Sequence, residues 1–213
     1  FLKAFDRFNI EPSYAMNTVL AERNPYLLNT IRERGSEILC HGWDMDSLHY
    51  GGQDKEEEAE LVKRSLDRLR ELSGQNVTGW ISPARNESPN TPDLLASNGI
   101  KYFCDWVNDD MPYPFQTSHG ELAAMPLSNE LEDRFILMNN LHSEDSYVEQ
   151  IQDACDFLLE EAEQSGGRIL ALNIHPWLLG QPHRIAKLEA VLDYLTSKEG
   201  VWSSGPTEIL SHC

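Results

Sequence analysis

The chain has 213 residues, 35 Asp and Glu against 17 Lys and Arg, a formal net charge of −18, and 40% hydrophobic residues. A chain of this size buries a sizeable core without needing a second domain, and its negative field repels nucleic acid, anionic lipid and polyanionic glycans. No apolar run approaches the roughly 20 residues that span a bilayer, and the first residues carry no signal-peptide pattern, so we expect a cytoplasmic protein with a small-molecule substrate and no nucleic-acid or membrane partner.

Short β-type runs alternate with helical runs, the pattern of parallel βαβ units. The chain opens on FLKAFDRFNI, which puts Phe1, Phe5 and Phe8 on one helical face with no strand before it. We therefore expect residues 1–213 to form a single domain that lacks its first strand. Strands are expected at 13–16, 37–40, 78–82, 101–104, 122–126, 135–138, 168–174 and 201–203. Helices are expected at 54–73, with Val62, Leu66, Leu69 and Leu72 on one face and an Asp54/Glu57 capping box, at 146–164 before Gly166-Gly167, and at 184–197. Two long stretches, 42–53 and 105–121, read as loops. In the turn at 88–95, Thr91 is a candidate N-cap and Pro92 the first helical residue. The cysteines Cys40, Cys104, Cys155 and Cys213 lack CxxC spacing and read as buried small hydrophobes, not nucleophiles.

Four polar clusters fall at expected strand ends, which converge on one face in a parallel β/α barrel. In HGWDMDSLH, His41, Asp44, Asp46 and His49 offer the nitrogen and oxygen donors that suit a divalent metal such as zinc. The alternative is that His41 caps a strand and the acids and His49 face water. In SPARNESPNT, Arg85 either orients a carboxylate or makes a rim salt bridge. In CDWVNDD, Asp105 is placed to hydrogen-bond a histidine and Trp106 to form a flat wall. In NIHPWLLG, His175 ends an apolar run and suits a general acid or base, unless it is structural.

Taken together, RGSEILCHGW, SPAR with SPNTPDLLASNGIKY, DWVNDDMPY, and LALNIHPWLLGQPHRIAKLEAVLDYL resemble the polysaccharide deacetylase (NodB-homology) superfamily over nearly the whole chain. The resemblance implies an α/β fold, a distorted barrel of about seven strands. It also implies an aspartate pair after the first strand, upstream of Phe1, that supplies the general base and a metal ligand. The family's second motif carries two histidines; His41 matches the first, and Met45 stands at the second. Arg85 matches the arginine that positions the base, Asp105 and Trp106 match the fourth motif, and His175 matches the catalytic acid. The SPNT and HPWLLGQPHRI blocks look closer to allantoinase-like and cyclic imide hydrolases.

The leading expectation is a hydrolase of non-peptide carbon–nitrogen bonds that opens a cyclic amide, ureide or imide. His175, Arg85 and Asp105 would be catalytic, with Asp105 steadying His175, and His41, Trp43, Trp106 and Trp177 would bind substrate. The alternatives are a metal-dependent de-N-acetylase of an amino sugar or glycan, and a noncatalytic ligand-binding relative. The cofactor is accordingly either a divalent metal or none. The aromatic loops leave homo-oligomerisation open.

Overall fold

The computed structural model describes all residues, 1–213. In chain order the elements are α1 (Leu2–Arg7), β1 (Tyr14–Met16), α2 (Thr18–Arg23), α3 (Pro25–Arg34), β2 (Ile38–Cys40), α4 (Lys55–Ser73), β3 (Gly79–Trp80), α5 (Thr91–Ser97), β4 (Tyr102–Phe103), β5 (Tyr113–Thr117), β6 (Gly120–Ala124), α6 (Glu144–Ser165), α7 (Pro176–Leu179), α8 (Ile185–Ser197) and α9 (Pro206–Leu210). Two compact units result: a sheet unit of Pro12–Met125 with Gly205–Cys213, and a helical unit of Phe1–Glu11 with Pro126–Ser204. No helix is long and apolar enough to cross a membrane.

The sheet runs β1-β2-β3-β4-β6-β5, parallel from β1 to β6 with β5 antiparallel at the edge. Register aligns Met16, Cys40, Trp80, Phe103 and Ala124 in one row. The next residue of each strand donates its N–H to the preceding strand: His41 to Met16, Ile81 to Cys40, Cys104 to Trp80 and Met125 to Phe103. His41, the turn after Trp80 and the loop after Phe103 therefore leave from the same C-terminal edge, as parallel strands require.

Helix α4 shows how a face of this sheet is covered. Asp54 caps it by accepting from the Glu57 N–H at 3.0 Å, Glu56, Glu57 and Glu58 sit in its first turn, and Gly74 at φ 68° ends it. Its Val62, Leu66 and Leu69 pack into a core with Ile38, Cys40, Trp80, Leu95, Phe103 and Leu122. In the helical unit, α6 is capped by Ser143, which accepts from the Ser146 N–H at 3.1 Å. Tyr147 and Ile151 of α6 pack with Leu188, Val191 and Leu192 of α8, Phe5 of α1 and Leu178 and Leu179 of α7.

Four expectations are corrected. Residues 135–138 are not a strand: Phe135–Asn139 is a π-helical turn, the apolar run FILM being equally compatible with a buried helical segment. Residues 168–174 and 201–203 join no ladder, and the former are half-buried instead of covered on both faces. The stretch 105–121 is not all loop, because Tyr113–Thr117 pairs back on Gly120–Ala124 as a hairpin. Pro114 is tolerated there because β5 is an edge strand. Cys40, Cys104 and Cys155 are buried and unbridged, as expected of small hydrophobes, whereas Cys213 is exposed, against that expectation.

Gly79 faces Tyr102 across the β3–β4 pair, and a Cβ at Gly79 would lie 2.2 Å from the phenolic oxygen. That oxygen donates to Glu37 at 2.5 Å, and Glu37 also accepts from the backbone and hydroxyl of Thr207 in α9. The glycine thus makes room for an aromatic side chain that ties β4 to β2 and the C-terminal helix. Gly79→Ala is expected to cost about 1–3 kcal/mol through overpacking. Urea unfolding measures it, and an unchanged midpoint would mean that Tyr102 does not cross this position.

Candidate functional site

In the helical unit, His175 is held by a side chain that sequence reasoning missed. Asp133 is wholly buried, and it accepts from the His175 backbone N–H at 2.8 Å and from the ring Nδ1–H at 2.6 Å. A third N–H, from Arg134, reaches the same carboxylate at 2.7 Å. Two bonds to one residue fix both the ring direction and the tautomer, leaving the reactive lone pair or proton at Nε2. Pro176 at the first turn of α7 suits this point, since it has no N–H to satisfy. Trp177 lies 5.6 Å from the His175 ring and is 52% exposed. The expectation that Asp105 steadies His175 is therefore corrected: Nδ1 is already occupied by Asp133. Nothing in ELEDRF distinguishes Asp133 from its acidic neighbours; only the buried turn that follows does so.

In the sheet unit, His41 Nδ1 meets the Ile81 carbonyl at 2.8 Å. A carbonyl only accepts, so the proton is on Nδ1 and the neutral ring carries its lone pair on Nε2. Arg85 sits in a turn in which Ala84 and Arg85 take φ of 55° and 53°, strained values for residues with a Cβ. Asp105 accepts from the Ser82 N–H at 2.7 Å, tying the loop after β4 to the turn after β3. Burial raises the Asp105 carboxyl above its ordinary range. Trp106 is 39% exposed, rests on Phe115 at 5.5 Å, and donates its indole N–H to Glu87 at 2.7 Å. Glu87 is a second residue missed in the sequence. Burial, together with the Asp105 carboxylate, pushes its carboxyl up to about 8.

The four candidate metal ligands are not assembled. No group of three or more His, Cys, Asp or Glu side chains is placed to hold a metal ion. His49 is not solvent-exposed; it is wholly buried, with Nδ1 on Glu58 at 3.0 Å. Asp44 is spent on its own turn, where its Oδ1 accepts from the N–H groups of Asp46 and Ser47 at 3.1 and 2.8 Å. Asp46 and Met45 are exposed, and the Met45 thioether is a poor ligand for a hard or borderline ion. His41, Asp44, Asp46 and His49 thus do not fit a metal centre as arranged. Trp43, an expected wall, has one face under the Arg64 guanidinium at 4.5 Å.

Glu58 is the third missed residue. It is wholly buried and also accepts from Ser88 Oγ and Thr91 Oγ1, each at 2.5 Å. Thr91 is therefore not the N-cap of α5, a position held by Asn90. Burial pushes the Glu58 carboxyl up, but the bonds from His49, Ser88 and Thr91 together outweigh it and hold the group below its usual range.

Residues 1–103 match the polysaccharide deacetylase family model. A putative polysaccharide deacetylase of Schizosaccharomyces pombe is 27% identical over 199 residues, covering 85% of this chain and 61% of that protein. The chain thus spans about three fifths of that relative's length. Two solved structures match 99% of the chain and 70% of their own, each with a TM-score of 0.89. One is PuuE allantoinase, at 28% identity, and the other a probable polysaccharide deacetylase from Pseudomonas aeruginosa PAO1, at 29%. The mixed α/β fold with its largely parallel sheet is the one these proteins share.

Replacing Glu58 by Gln removes the charge and turns one of its two acceptor oxygens into an NH2 donor, so His49, Ser88 and Thr91 can no longer all be accepted. The expected loss is about 3–5 kcal/mol at pH 7. Because the folded carboxyl titrates below its ordinary 4.5, its contribution is present above that pH and is lost as pH falls through the lower folded value. The gap between wild type and Glu58→Gln in urea unfolding should therefore narrow on acidification; a constant gap from pH 7 to strong acid would contradict an ionised Glu58.

Proposed function

We propose, from this chain's kinship with the polysaccharide deacetylases of the NodB-homology superfamily, that it hydrolyses carbon–nitrogen bonds other than peptide bonds and that its substrate is a small cyclic amide, ureide or imide. The observation that carries the reading is the His175–Asp133 pair: a half-exposed imidazole aimed by a wholly buried carboxylate. The ring substrate is supported by the likeness to an allantoinase, an enzyme named for a cyclic ureide.

Hydrolysis of such a ring needs water to add to a carbonyl and the departing nitrogen to gain a proton. His175 delivers that proton from Nε2, because Nδ1 is committed to Asp133. Asp133 keeps the ring in the orientation and tautomer the transfer requires, the part a buried aspartate plays behind a general-acid histidine. His41 stands at the end of β2 with Nδ1 on a carbonyl, so its neutral form presents an acceptor at Nε2 and only its imidazolium can donate to a developing oxyanion. Arg85 holds the general base ionised through its guanidinium, as the family resemblance implies. Trp177 supplies a flat apolar wall beside His175 in the helical unit, and Trp106 one beside the strand edge of the sheet unit. The acidic surface suits a small neutral ring better than an anionic polymer.

A metal-dependent de-N-acetylase of an amino sugar or glycan is the second reading, favoured by the names of the fission yeast and Pseudomonas proteins. It requires donors beyond the scattered set around His41. A noncatalytic ligand-binding relative is the third.

The test is turnover by the full-length protein on a panel of cyclic imides, ureides and N-acetylated sugar oligomers, with and without added divalent metal. Ring opening without added metal is expected, with His175→Ala lowering kcat by about 10²–10⁴-fold. Asp133→Asn should lower it too, with the loss in kcat and not in KM. Deacetylation only with metal favours the second reading, ligand binding with no turnover favours the third, and undiminished turnover by His175→Ala removes the assigned acid.

A further inference from the structure

On the C-terminal edge of the sheet unit, Glu87 Oε1 and Asp105 Oδ2 are both buried and neither meets an N–H or O–H donor of the protein. Glu87 binds the indole of Trp106, the residue next to Asp105, so the two acids lie together, and each acts on the charge state of the other. Two carboxylate oxygens are acceptors only, so the pair satisfies both orphaned atoms only when one of them carries a proton. The remaining oxygen of each group is engaged, Glu87 Oε2 by the Trp106 indole N–H at 2.7 Å and Asp105 Oδ1 by the Ser82 N–H at 2.7 Å.

We propose that a single proton shared between Glu87 and Asp105 clasps the turn after β3 to the loop after β4 and thereby sets the position of the Trp106 ring. Glu87 is then a positioning residue. It reaches substrate only through Trp106, whose indole it holds on one side while Phe115 of β5 supports the ring at 5.5 Å on the other. The role of Trp106 as a substrate wall rests on the function proposed above; the clasp does not, and it can be tested without substrate.

The surroundings favour a protonated pair. Burial and the Asp105 charge push the Glu87 carboxyl up to about 8, with Glu58 of α4 adding to the effect. Burial also raises Asp105, against the opposing pull of the bonds from Ser82 and of His41 at the end of β2. Tyr113 of β5 faces the same charge, and Arg85 lies two residues before Glu87 in the same turn. For a carboxyl raised in the folded state, the contribution to stability is complete below its ordinary 4.5 and is lost as pH rises through about 8. Above that pH two adjoining carboxylates repel one another in a poorly solvated place. The clasp then opens, and Trp106 moves with it.

The test uses infrared difference spectra and tryptophan emission of the full chain from pH 6 to pH 9.5, with Trp106→Phe identifying the emission that belongs to Trp106. Wild type should show one protonated-carboxyl C=O band at pH 7 that disappears as pH passes about 8, together with a shift in Trp106 emission over the same range. Glu87→Gln should lack both the band and the shift. Its amide N–H can donate to Asp105 at every pH while its oxygen still accepts from Trp106, so the clasp becomes permanent. Glu87→Ala should show the shifted emission already at pH 7. A band that persists unchanged in Glu87→Gln, no protonated carboxyl in wild type at pH 7, or Trp106 emission indifferent to pH would each overturn the proposal. Loss of ring hydrolysis with the spectra as expected would fault the functional reading and leave the clasp standing.

Discussion

Glu58 lies out of water on the first turn of α4, and a carboxylate there is tolerable only if its oxygens are filled by donors. Those donors come from two other parts of the chain: His49 from the loop after β2, and Ser88 and Thr91 from the turn that leads from β3 into α5. One buried acid therefore determines where both loops lie. Between β3 and Ser88 the chain must accommodate Ala84 and Arg85 at positive φ, at a cost of order 1–3 kcal/mol each. Such strain persists only when the ends of the turn are fixed. Glu58 fixes one end, and the Ser82–Asp105 bond fixes the other.

Counting donors explains the charge states of the buried acids. Asp133 has three N–H groups on its two oxygens, and Glu58 has two hydroxyls and an imidazole. Each is satisfied as an anion. Glu87 and Asp105 have one donor apiece, so a full negative charge on both would leave two buried oxygens unpaired. Sharing a proton satisfies both at once. The same residue type thus serves as a fixed anion in two places and as half of a neutralised pair in a third, and environment alone separates them.

Periodicity made the covering helices legible. Val62, Leu66 and Leu69 repeat at helical spacing behind an Asp54/Glu57 cap, and all are buried as that pattern requires. The first four strands were legible because β-branched and aromatic runs end in polar residues. What the sequence concealed has a common cause, namely apolar runs too short to carry a period. FILM at 135–138 fits a strand or a buried turn equally well, and the ILALNI run reads as a buried strand although it joins no ladder. In the site, His41, Arg85, Asp105, Trp106 and His175 stood out as isolated polar residues after apolar ones. Asp133, Glu87 and Glu58 did not, because each sits among other acids in ELEDR, ARNES and KEEEAE, where burial and not residue type distinguishes one carboxylate from its neighbours.

The loop after β2 shows how a changed motif can be reorganised. The four oxygen and nitrogen donors of HGWDMDSLH do not share a focus, and the thioether of Met45 adds no suitable ligand to them. Asp44 folds the loop onto its own backbone, Asn17 reaches the His41 carbonyl, and His49 is drawn inward to Glu58 beside the Trp80 ring at 5.8 Å. Each of these contacts holds the segment through the protein's own groups. His41 alone stays on the strand edge, its tautomer set by a main-chain carbonyl of the neighbouring strand instead of by a carboxylate. A ring so placed is directed by the sheet itself, and the direction of its Nε2 is fixed by the same β2–β3 register that positions the turn carrying Arg85 and Glu87.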